Sequence, residues 1–71
     1  MNDIRDLKEL IVFSLDAKPA NFEELIKRDF LHNRSSYGIG ILLKDLEIKN
    51  KIYIRGDKMY AYKKAVKEYA S

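Results

Sequence analysis

One histidine, His32, and no cysteine leave this chain little material for nucleophilic catalysis or metal ligation. His32 falls in an expected turn, where a lone imidazole is a solvated or helix-flanking residue. Glu23 and Glu24 stand four residues before Lys27 and Arg28, the spacing of surface ion pairs along a helix and not of a working carboxylate pair. Gly38 and Gly40 read GIG, which lacks the third glycine and the preceding strand of a dinucleotide-binding loop. No enzyme, catalytic residue, metal site, cofactor or small-molecule substrate is therefore expected. The two glycines still need a reason, because each costs a helix about 0.5–1 kcal/mol relative to alanine. Three reasons stand open: close approach of another backbone, close packing against a neighbouring helix of the domain, or a helix that begins near Ile39.

The chemistry that remains is noncovalent, and charge points to its partner. The net charge of +3 is unevenly spread. Residues 1–31 carry five Lys and Arg against seven Asp and Glu, giving −2, whereas residues 32–71 carry nine against four, giving +5. A basic second half suits a surface that faces phosphates; the plain alternative is a lysine excess that serves solubility. At 71 residues the chain holds one domain with a small core. No apolar run approaches the roughly 18 residues of a membrane span, and the opening MNDIRDLKE is unlike a signal peptide. A soluble cytoplasmic protein is expected.

The strongest positional signal runs from Ser35 to Tyr62. Ile39, Leu42, Leu43 and Leu46 follow the i, i+3, i+4, i+7 spacing that places four apolar side chains on one helical face. Ser35 or Ser36 can cap the start by accepting a first-turn amide. Asn50 can close the end, since Asn tolerates the left-handed conformation past a helix C-terminus. The predicted helix spans 35–49. The period then becomes two. Ile52 and Ile54 alternate with Tyr53 and Arg55, Gly56-Asp57 turns, and Met59 to Tyr62 return, giving a hairpin over 51–63. Tyr53 and Tyr60 are expected to pair across the strands, a contact of about 0.2–1 kcal/mol, and Met59 to fill the core.

Upstream, a first helix over 1–17 is capped by Asn2 or Asp3, with Asp3 and Asp6 at its positive end. Ile4, Leu7, Ile11 and Leu15 form its core stripe, and Leu10, Phe13 and Ala17 a second stripe that suits a further neighbour or a dimer interface. Pro19 stops it. A second helix over 21–31 opens with Asn21 and Glu24 as a capping box and buries Phe22, Leu25, Ile26 and Phe30. The linker HNRSS leads into the next helix. At the C-terminus, Val66, Tyr69 and Ala70 have helical spacing with Tyr62, so 64–71 is expected to form a short helix. It would fold back on the first helix or pair with a second subunit.

The run LLKDLEIKNKIYIRGDKMYAY joins a leucine-rich helix, a charged stop and a strand, Gly-Asp turn and strand. It resembles the second half of a winged helix-turn-helix domain. The resemblance covers residues 35–63, and the preceding helices extend it to most of the chain. It implies a mainly helical α+β fold of three helices, a β-hairpin wing and a short C-terminal helix, with Lys18–Ala20 in the place of a very short extra strand. It also implies double-stranded DNA binding, by a small transcriptional regulator or a phage- or plasmid-type accessory protein. The exposed face of the third helix would enter a major groove while the wing reaches adjacent backbone or minor groove.

Carried onto this chain, that mechanism gives Arg34, Ser35 and Ser36 phosphate contacts at the helix start. Tyr37, Ile41, Lys44 and Ile48 fall on the face opposite the core, with Asp45 beside them. Lys49 and Lys51 follow the helix, and Arg55 and Lys58 flank the wing tip. The face departs from a good base reader, which favours Arg, Lys, Asn and Gln. The alternative is a protein-interaction or homodimerisation module, with Phe13, Tyr37, Ile41, Ile48 and Tyr69 as its interface. The wing or tail could also cover Tyr37 and Ile48 within the monomer.

Overall fold

The computed structural model describes residues 4–70, with side chains from Leu7 onward. The expectations for Asn2, Asp3 and the side chains of Ile4 and Asp6 fall outside the described residues. The order is α1 (Ile4–Ala17), α2 (Phe22–Ile26), a 3-10 turn (Asp29–Leu31), α3 (Ser36–Ile48), β1 (Ile52–Arg55), β2 (Lys58–Ala61) and α4 (Lys63–Ala70). Over the described residues this is a mainly helical α+β fold of four α-helices and a two-stranded antiparallel hairpin, with α1 packed on β2 and on α4, and α3 on β1.

Leu7, Ile11 and Leu15 bury one side of α1 as their spacing requires, and Val12 is fully buried beside them. The second stripe comes out differently from expectation. Leu10 and Ala17 are exposed, and only Phe13 is partly covered. Its cover is Tyr69, whose ring meets it edge-on at 6.4 Å, because α4 folds back on α1 within the same chain. Ala65 is the fully buried residue of α4. Lys63 reaches Asp16 at 3.2 Å across the same seam.

After Pro19 the chain makes one β-bridge, with the Met59 amide donating to the Ala20 carbonyl at 2.8 Å. Asn21 then caps α2. Its side chain accepts from the Glu24 amide at 2.8 Å, and the Glu24 carboxylate accepts from the Asn21 amide at 3.0 Å. The helix expected over 21–31 is a shorter one followed by a separate 3-10 turn. Arg28 is the reason. Its backbone is extended (φ −69, ψ 147), and its guanidinium donates to the carbonyls of Ser14 at 2.9 Å and Lys18 at 2.7 Å, and to the Ser14 hydroxyl. Carbonyls past a helix end lack intrahelical donors, so Arg28 supplies one to Lys18, while the Ser14 carbonyl, which already accepts the Lys18 amide at 3.0 Å, gains a second. The extended backbone at Arg28 interrupts the helix expected to run to Leu31. Phe22, expected inside, is exposed, whereas Leu25 and Leu31 are fully buried.

Ser35 is the cap of α3, accepting the Gly38 amide at 3.0 Å. The helix ends in a Schellman motif: Asn50, at φ 60, donates to Glu47, and the Lys51 amide donates to the Leu46 carbonyl at 2.8 Å. Ile39, Leu43 and Leu46 point into the core, where they join Ile52 and Met59 of the hairpin. The register pairs Tyr53 with Tyr60 and Ile54 with Met59. The turn needs positive φ only at its first central residue, Gly56 (φ 66), as in a type II′ turn. Tyr53 stacks on Tyr60 at 5.4 Å between ring centroids, and Tyr62 joins them at 4.7 Å from Tyr53. No described helix is long and apolar enough to cross a membrane.

Candidate functional site

Because Ile39, Leu43 and Leu46 turn inward, the opposite side of α3 faces solvent. Tyr37 is 80% exposed, Ile41 53% and Ile48 68%, and Lys44 between them is exposed as well. Neither the hairpin nor α4 covers Tyr37 or Ile48, which overturns the expectation of intramolecular cover. The expected outer face is a true surface.

The cations around it divide into two groups. Lys49 lies 3.4 Å from Asp45, Lys51 2.6 Å from Glu68, and Lys58 3.2 Å from Glu24. Asp45 also accepts from Lys8 of α1 at 2.5 Å. The hydrogen bond from Lys8, with help from Lys49, holds its carboxyl below the ordinary carboxylate range. Glu68 is likewise held down by the Lys51 hydrogen bond, which in turn pushes the Lys51 ammonium up. The Asn21 amide is the first cause of the lowered Glu24 value, and Lys58 the next. Lys49, Lys51 and Lys58 are thus already partnered. Arg34, Lys44 and Arg55 are exposed, and among the described residues none has a carboxylate within ion-pair distance.

Ser35, expected to meet a phosphate, spends its oxygen on the helix cap; Ser36 is exposed in the first turn. His32 is exposed, and its Nδ1 lies 2.6 Å from the Asp29 carbonyl. The expected interface residues fall in two places. Tyr37, Ile41 and Ile48 share the outer face of α3, whereas Phe13 and Tyr69 pack on each other.

Sequence reasoning missed the groove beside this face. Phe22, Leu43, Ile52, Ile54 and Met59 line it between α3 and the hairpin, together with Gly40, Lys44 and Glu47. Ile54 is exposed although it alternates with buried Ile52 and pairs across the hairpin with buried Met59. Of the explanations open for the glycines, a helix start near Ile39 is overturned, because α3 begins at Ser36 and contains both. A Cβ on Gly40 would meet nothing within 4 Å, so packing against a neighbouring helix does not explain it. A Cβ on Gly38 would come within 3.1 Å of the Ser35 hydroxyl, so Gly38 leaves room for the cap.

Compared with protein families, curated proteins and solved structures, the chain gives no match.

Proposed function

We propose that the chain is a winged helix-turn-helix domain that binds double-stranded DNA, with α3 in the major groove and the hairpin as its wing. The fold reading is supported by the order of the elements and by the bridge at Ala20, which stands where the resemblance puts a very short strand. One observation carries the function. Among the described residues, six exposed cations lack a carboxylate within ion-pair distance, and three of them, Arg34, Lys44 and Arg55, lie before α3, on its outer face and at the hairpin tip, whereas Lys18, Lys27 and Lys64 lie elsewhere in the chain. In this reading Arg34 and Arg55 hold phosphates on either side of the groove, and Lys44 sits between them. Phosphate contacts fix register and orientation without reading sequence.

Lys44→Glu and Arg55→Glu test this directly. Each should weaken duplex binding, measured by fluorescence anisotropy, and leave the thermal midpoint nearly unchanged because both side chains are exposed. Unaltered binding in both would remove these roles.

A second reading is favoured by the exposure of Tyr37, Ile41 and Ile48 on a single helix face, an apolar stripe of the kind that docks protein. In that reading the domain is a dimerisation or protein-interaction module. Ile41→Asp would then abolish self-association, seen by sedimentation, in a domain that remains folded.

A further inference from the structure

The outer face of α3 is apolar where a base-reading helix carries hydrogen-bonding forks. Among the side chains it exposes are Tyr37, Ile41, Lys44 and Ile48, with no Arg, Asn or Gln among them. In the major groove guanine, cytosine and adenine present donors and acceptors, and thymine alone adds an apolar group, its C5 methyl. An isoleucine pressed on a donor or acceptor strips it of water and gives nothing back. Pressed on a methyl, it buries apolar surface on both sides.

Resting on the duplex-binding reading above, we propose that this face reads thymine methyl groups through Ile41 and Ile48. The occupant follows from charge as well as shape. Lys44 stands within the apolar stripe, Arg34 lies just before α3 and Arg55 at the hairpin tip, all three without carboxylate partners among the described residues, so the surface that complements them is anionic and must meet an apolar stripe. A phosphate-walled groove with methyls on its floor has that form. Ile41 and Ile48 are seven residues apart on α3, which is two helical turns and about 10 Å along the axis. At about 3.4 Å per base step, the pair spans roughly three steps and reaches two separate methyls. Burial of one methyl corresponds to about a fourfold gain in affinity, and two to about fifteenfold.

The test needs no knowledge of a target site. The full chain is titrated by fluorescence anisotropy at low salt against alternating A·T and A·U duplexes, which differ by the methyl. A second pair is alternating G·C and the same duplex with 5-methylcytosine. Tighter binding of the methylated member in both pairs, by about fifteenfold for two methyls, is the expected result. The double variant Ile41→Ala/Ile48→Ala should lose that difference while keeping salt-sensitive binding. Both residues are exposed, so the variant retains the core. Equal, salt-sensitive binding of all four duplexes by the unaltered chain would overturn methyl reading and leave DNA binding standing. Binding to none would overturn both, and self-association lost in Ile41→Asp would then assign the face to protein.

Discussion

Gly40 sits in α3 with open space where its Cβ would be, beside a groove that runs to the hairpin. Alanine there removes the backbone-entropy penalty of a helical glycine without a clash. Gly40→Ala should therefore be more stable by about 0.5–1 kcal/mol. In a domain of this size that raises the thermal midpoint by roughly 2–8 °C. Calorimetry checks it, and a lowered midpoint would mean that the position packs tightly after all. If DNA backbone lies close to Gly40, the same variant binds duplex less well despite its stability. At this scale the sequence is readable where interactions are local. The Asn21–Glu24 box, the Ser35 cap, the Asn50 stop and the Tyr53–Tyr60 pair each join residues fixed by a helix turn or a two-residue loop. Arg28 was not readable, because its acceptors on Ser14 and Lys18 lie in the preceding helix and the turn after it.

Between elements, the Lys8–Asp45 pair ties α1 to α3 beside the outer face. Asp45 has a lowered value in the folded chain, first because Lys8 donates to it. A depressed carboxyl stabilises the fold above its unfolded value and loses that contribution as pH falls through the folded value. Stability should therefore be full at neutral pH and decline as pH drops below the ordinary Asp value of 3.8. Glu68 and Glu24, also lowered, act in the same direction. Thermal melts against pH check this: Asp45→Asn should melt below the unaltered chain at pH 7 and converge with it in acid. A gap that persists unchanged in acid would contradict the role given to Asp45. Ion pairs of this kind separate the cations that the sequence ranks alike. Lys8–Asp45, Lys58–Glu24 and Lys51–Glu68 span 37, 34 and 17 residues, so only the fold reveals that Lys51 and Lys58 are partnered while Lys44 and Arg55 have no carboxylate within ion-pair distance among the described residues.

For the whole molecule, periodicity carries the architecture further than it carries the site. A 3.6-residue stripe in α3 and a period of two in the hairpin are strong because each buries one face, and Ile39, Leu43, Leu46, Ile52 and Met59 all reach the core. Which apolar residues stay outside is less visible, since Phe22 and Ile54 have the same chemistry as their buried neighbours. Their exposure follows from the size of a 71-residue chain, whose core ends before it can cover them. The proposed duplex-binding face belongs to this scale, because it joins Arg34, the outer side of α3 and the hairpin tip. Three phosphate contacts imply a slope of log affinity against log salt near −2.7, or about a fortyfold loss over a fourfold rise in salt.

An amide NMR titration of the labelled chain with a generic duplex, at ~50 mM and ~200 mM salt, tests that claim most directly. The predicted result is a set of shifts at Arg34, Tyr37, Ile41, Lys44 and Arg55 that fade at the higher salt. An unchanged spectrum at the lower salt would contradict DNA binding through this face.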